Sequence, residues 1–174
     1  SRGLGDVYKR QADQAQAWGA GAEVIRVDVD KHGSVEAAAR TARYRAFAPW
    51  GEVAVAHTAD DQAETLLLGA LRGKVSGMLE RAVVEGAHVL RPLLTVRRAH
   101  TEAACAELNV EPWQDPHNVD PTFRRVALRR DILPRLADIV GGDPIPALAQ
   151  AAQDAALDDA SLLTPPTNSC VCLL

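Results

Sequence analysis

The chain has 174 residues and a mass of 18.6 kDa, with 47% hydrophobic and 24% charged residues; a globular domain of that size buries roughly 68–70% of its unfolded surface without disulfide or metal support. Nineteen Lys+Arg against 23 Asp+Glu give a net charge of -4, which excludes a uniformly basic nucleic-acid coat and leaves room only for local basic patches. Apolar runs such as Leu66-Leu67-Leu68 fall far short of the roughly 18 residues of a membrane span, and Cys105, Cys170 and Cys172 make neither a disulfide framework nor a zinc pattern, so a reducing, cytoplasmic setting is expected.

The opening Ser1 to Gln11 shows no apolar period and reads as a non-native leader, set apart from the fold. Residues 12–18 then read as the end of a helix closed by Gly19, and Glu23 to Val29 alternates Val24, Val27 and Val29 with charge, which suits a strand. Ser34 is a good N-cap for an Ala-rich helix from Val35 to Ala48, stopped by Pro49 and Gly51. Glu52 to Ala56 is a short strand that runs into His57 and a second capped helix, Ala59 to Leu71. Strand, helix, strand, helix with short links predicts a parallel α/β sheet.

Beyond Gly73 the period changes. Arg81 to Val84 and His88 to Leu90 form a hairpin around Glu85-Gly86, and Thr95 is placed to cap a helix ending near Leu108. A Pro-rich loop, Pro112 to Pro121, leads into an Arg-rich helix, Thr122 to Ile139, which Pro134 must interrupt or kink. Gly141-Gly142-Asp143-Pro144 reads as a linker before an Ala-rich helix, Pro146 to Leu163, and residues 164–174 as an unstructured tail.

The run His57-Thr58-Ala59-Asp60-Asp61-Gln62-Ala63-Glu64-Thr65 concentrates polar chemistry where a strand ends and a helix begins, the place where open α/β sheets bind ligands. Asp60 and Glu64 are four apart and Asp61 and Glu64 three apart, so these carboxylates share a helix face able to hold Mg²⁺ beside a phosphate. The same residues also satisfy a plain capping scheme: Thr58 as N-cap, Asp61 closing a capping box, and early acids complementing the helix dipole. Five arginines, Arg124, Arg125, Arg129, Arg130 and Arg135, stand against Asp131 alone, a strip suited either to phosphate backbone or to solvent.

Four ordered blocks across residues 15 to 140 resemble the tRNA(Ile)-lysidine synthases, a branch of the N-type ATP pyrophosphatases. They are Glu36 to Tyr44; His57 to Leu68 with Arg72-Gly73; Arg91-Pro92-Leu93-Leu94; and Asp115 to Asp120 with Phe123, Arg125, Arg129 and Leu133-Pro134. The resemblance implies an α/β fold: a partial Rossmann-like parallel sheet of the adenine nucleotide alpha hydrolase type, followed by helices. It places a partial catalytic domain at 12–140 and the start of a helical extension at 141–163. It also implies a ligase that uses ATP to adenylate the wobble cytidine of a CAU-anticodon tRNA(Ile), after which lysine displaces AMP to form lysidine.

Carried over by position, Asp61, Glu64 and Arg43 are the implied catalytic residues, with His57, Asp60 and Asp61 at the nucleotide, Asp61 and Glu64 toward Mg²⁺, and Arg124, Arg125, Arg129 and Arg130 toward tRNA. Which carboxylate does which is left open, as is a homodimer. The departures are specific. No Ser-Gly-Gly-x-Asp-Ser phosphate loop occurs in the 174 residues, so the chain is expected to be inactive on its own. Thr58 replaces a second histidine, Val126 an asparagine, and Lys74 to Met78 forms a shortened loop. A thiolation-type pyrophosphatase and a non-catalytic RNA-binding module are the competing readings; the single mid-chain Cys105 argues against the first.

Overall fold

The computed structural model describes residues 4–29, 35–112 and 123–163; the expected Ser34 cap, the Asp115 to Asp120 block and the tail lie outside the described residues. The chain divides into two compact units, one formed by residues 1–53 and 83–89, the other by 54–82 and 90–174.

In the first unit, α1 (Leu4–Ala17) extends back through the segment set apart as a leader and is closed by Gly19 at φ 79°. Residues 20–29 are not a strand. Their valines alternate as a strand's would, but the sheet contains only β1, β2 and β3; without a neighbouring ladder their backbone groups gain nothing from extension. Val24 and Ile25 stay exposed. Helix α2 (Val35–Phe47) passes into a 3₁₀ turn, Ala48–Trp50, at Pro49. Buried Tyr44 anchors it, edge-on to Phe47 and under the Arg40 guanidinium, 5.0 Å from the ring centre.

The sheet is small. Strand β1 (Glu52–Ala54) lies parallel to β3 (Ala87–Leu90), which pairs on its other side with β2 (Arg81–Val84), in the order β1-β3-β2. Glu85 and Gly86, at φ 50° and 84°, make the expected two-residue hairpin with the mirror-image turn that suits twisted strands. Thr41 and Arg45 of α2 both donate to the Glu85 carboxylate.

The second unit is built around α3 (Ala59–Ala70). Ala59 and Ala63 leave room for Leu133 of α6 (Leu133–Val140) and Ile145 of α7 (Ile145–Leu163), with Leu67, Leu136 and Leu148 around them. Helix α7 packs along α3. The supposed linker is itself anchored: Gly141 closes α6 at φ 69°, and the Asp143 carboxylate accepts the Ile145 N–H. Fully buried Gln62 exchanges two 2.8 Å hydrogen bonds with the Met78 backbone, fixing the shortened loop. A Cβ at Gly77 would land on the Ala152 carbonyl, so this loop and α7 meet at backbone distance. Among the described residues no helix is long and apolar enough to cross a membrane.

Candidate active site

Helix α3 begins just beyond the carboxyl end of β1, after the ladder is extended by the Val55 N–H donating to the Leu90 carbonyl at 2.9 Å. Its first turn is organised by a capping box. Asp61 Oδ2 accepts both the Thr58 N–H and the Thr58 hydroxyl at 2.8 Å, so the capping scheme is real. It occupies one oxygen; Oδ1 accepts from Arg98 Nη2 at 3.0 Å. Burial raises the Asp61 carboxyl, but the two Thr58 bonds and the charges of Arg98 and His57 outweigh it and hold it below the ordinary aspartate value.

One turn on, Glu64 is 0% exposed. A carboxylate at such depth needs charged partners, and three arginines supply them. Arg98 donates from both Nη atoms to Oε1 at 3.3 Å; Arg129 donates to the same oxygen from Nε at 3.0 Å, with its Nη2 in ion-pair contact at 2.9 Å; Arg125 Nη1 reaches Oε2 at 3.3 Å and its Nη2 reaches Thr65 Oγ1 at 3.2 Å. These guanidinium side chains remain 24%, 34% and 38% exposed, so buried Glu64 forms the floor of a cationic patch that reaches solvent.

Asp60 faces a different partner set. Its carboxylate accepts Arg97 Nε at 3.1 Å and the backbone N–H of Arg98 at 2.7 Å. Thr95 therefore does not cap the following helix. Helix α4 (Arg98–Glu107) starts two residues later than expected, with Arg97 at its N-cap and no local side-chain cap; Asp60, from another helix, takes that role. Two arginines at a helix N-terminus oppose the dipole, and the nearby carboxylates offset this. Arg97 also pairs with Asp143. For Asp60 burial again raises the pKa, and the Arg97 and Arg98 hydrogen bonds and charges bring it below the ordinary value.

The Arg-rich segment is not one helix. It runs as α5 (Arg124–Ala127), a wide π turn (Leu128–Ile132) and α6. Pro134 lacks an N–H and would crowd the carbonyl four residues back, and a turn closed by the Leu133 N–H on the Leu128 carbonyl absorbs it. Buried Val126 and Leu128 seat the segment. The strip therefore splits: Arg125 and Arg129 turn in to Glu64, while Arg124, Arg130 and Arg135 are exposed. Pattern reading missed Arg97 and Arg98, which lie 34 to 38 residues from their partners on α3; an arginine pair at a predicted helix start was the available signal.

A magnesium ion does not fit Asp61 and Glu64 as arranged. Three of their four oxygens accept from guanidinium groups and the fourth caps α3. Among the described residues no three His, Cys, Asp or Glu side chains are grouped to hold a metal. Arg43 is exposed on α2, in the first unit, while His57, Asp60, Asp61, Glu64, Arg125 and Arg129 all belong to the second.

Residues 9–136 match the family described as PP-loop domain. The chain belongs to the PP-loop family. Among curated proteins, this PP-loop chain is 50% identical over 157 residues to the tRNA(Ile)-lysidine synthase of Corynebacterium glutamicum, covering 90% of the chain and 50% of that protein. It is 60% identical over 115 residues to that of Corynebacterium diphtheriae, covering 66% and 38%, and 47% identical over 150 residues to that of Rhodococcus erythropolis, covering 84% and 46%. The PP-loop chain thus spans half or less of the length of these relatives. Its parallel β1–β3 pair with flanking helices agrees with the α/β, Rossmann-like class expected of such a domain.

Proposed function

We propose that the chain forms the later part of the catalytic domain of a cytoplasmic tRNA(Ile)-lysidine synthase, with residues 12–140 in that domain and 141–163 opening a helical extension. The ring carbonyl oxygen of the wobble cytidine in a CAU anticodon attacks the α-phosphorus of ATP, and pyrophosphate leaves. The amine of free lysine then attacks the activated ring carbon, AMP leaves, and the amine proton passes to a carboxylate. The observation that carries this reading is the meeting of Arg125 and Arg129 with the buried Glu64 carboxylate, 61 and 65 positions away in sequence, with Asp61 joined to the same cluster through Arg98.

In this reading Asp61 or Glu64 orients and deprotonates the lysine amine. The arginines offset charge on the transferring phosphate, and His57 lies on the nucleotide side. Arg43, exposed on α2 of the first unit, is read as a phosphate-contacting arginine. Asp60 serves by holding Arg97 and the start of α4. Exposed Arg124 and Arg130 carry the tRNA backbone contacts, with no share in reading the anticodon.

Because the 174 residues contain no Ser-Gly-Gly-x-Asp-Ser loop, the test uses two samples: this chain, and this chain fused behind a strand-and-loop segment that carries a Ser-Gly-Gly-x-Asp-Ser phosphate loop. Both receive ATP, Mg²⁺, labelled lysine and CAU-anticodon tRNA. The fusion should incorporate lysine and the unfused chain should not. Incorporation by neither, with tRNA still bound, would favour a non-catalytic RNA-binding module.

A further inference from the structure

Arg98, Arg125 and Arg129 each commit one edge to Glu64 and keep another donor in reserve. Nε of Arg98, Nε of Arg125 and Nη1 of Arg129 make no hydrogen bond among the described residues. All three side chains are partly exposed above the buried carboxylate. Three planar forks meet around one point, where among the described residues the guanidinium groups pair with Glu64 and Asp61 while Asp60 accepts the Arg98 backbone N–H and pairs with Arg97, and guanidinium forks match the oxygens of a phosphoryl group. Glu64 cannot be the best partner for all of them, since Oε1 alone receives Arg98 and Arg129 together and three of the contacts are 3.3 Å long.

We propose that this tripod is a phosphoryl-oxyanion receptor, and that its occupant draws the arginines off Glu64 and unmasks the carboxylate. No bond is made or broken; guanidinium donors exchange one oxyanion for another. The proposal deepens the function above, resting on it only for the use to which the freed carboxylate is put. It gives Glu64 a latched state without ligand and a released state when phosphate is present. The phosphoryl group comes either from a nucleotide polyphosphate or from a nucleic-acid backbone.

The test reads binding without turnover, so a failure of lysidine formation and a failure of the receptor are separable. Inorganic pyrophosphate is titrated into the full 174-residue chain by calorimetry, and an abasic phosphodiester oligomer is titrated in parallel; tighter binding of the first assigns the tripod to a nucleotide polyphosphate, of the second to backbone. Arg125→Gln and Arg129→Gln should each weaken the preferred anion about tenfold or more. Glu64→Gln should tighten it several-fold, because a competitor for the arginines has gone, and the anion should raise the melting temperature of Glu64→Gln more than that of the wild type. If Glu64→Gln does not fold, the wild-type chain still decides. The Arg129 Nε–H resonance, now hydrogen-bonded to Glu64, should shift on saturation with pyrophosphate. Weaker binding by a folded Glu64→Gln, unchanged affinity in both arginine variants, or an unmoved Arg129 Nε–H under saturation would each overturn the proposal.

Discussion

Asp61 shows that a capping residue and a site residue need not be alternatives. Its two oxygens divide the work, Oδ2 closing the first turn of α3 and Oδ1 meeting Arg98. Asp60 behaves alike, stabilising the start of α4 from outside it. Both carboxyls sit below the ordinary aspartate pKa of about 3.9 in the folded chain, after the bonds and charges around them overcome burial. Lowered folded values mean that the unfolded chain binds protons first, so their contribution to stability is complete above that value and is lost as pH falls through the folded values below it. Melting temperature measured from pH 6 down to pH 2 should fall mainly below pH 4, and the fall should be shallower in Asp60→Asn. An identical acid profile for wild type and variant would remove Asp60 from this role.

At the scale of elements, three helices were legible in full, while the first helix was set apart as a leader, the arginine helix breaks into three pieces, and the strand expected at 23–29 is absent. Helices α2, α3 and α7 follow their apolar period, and Pro49, Gly51 and Gly141 mark stops that depend only on local backbone geometry. The Glu85-Gly86 hairpin was legible for the same reason. The strand expected at Glu23 to Val29 needs a hydrogen-bonded neighbour, which periodicity cannot supply. The start of α4 was misplaced because its capping oxygen comes from Asp60, 38 residues earlier. Spacing singled out Asp61 and Glu64, and composition singled out Arg125 and Arg129 only as part of a strip read toward tRNA; their meeting at Glu64, and the part of Arg97 and Arg98, required the fold. Pro134 was expected to disturb the arginine helix; it does so through the π turn that brings Arg129 onto Glu64. Pro134→Ala, by restoring a donor, should let this turn tighten toward an α-helix and rotate Arg129 off Glu64. Amide exchange across 128–133 should then slow, and exchange as fast as in the wild type would show that the wide turn has another cause.

For the whole molecule, a net charge of -4 coexists with a local cationic patch, in which Asp60 and Glu64 are buried, Asp61 is partly buried, and the guanidinium groups beside them are partly exposed. Such a surface can meet phosphate while the chain as a whole remains acidic. The most direct measurement is the single-turnover rate of lysidine formation by the phosphate-loop fusion, compared for wild type, Asp61→Asn and Glu64→Gln. Each is assayed well below its own melting temperature, since losing a cap costs about 1 kcal/mol and stranding three arginines about 3–5 kcal/mol. Folded variants should react on the order of 100-fold more slowly or worse, the loss of one acid–base or electrostatic contributor. Folded variants that form lysidine at the wild-type rate would contradict the assignment of this carboxylate and arginine cluster as the reaction site.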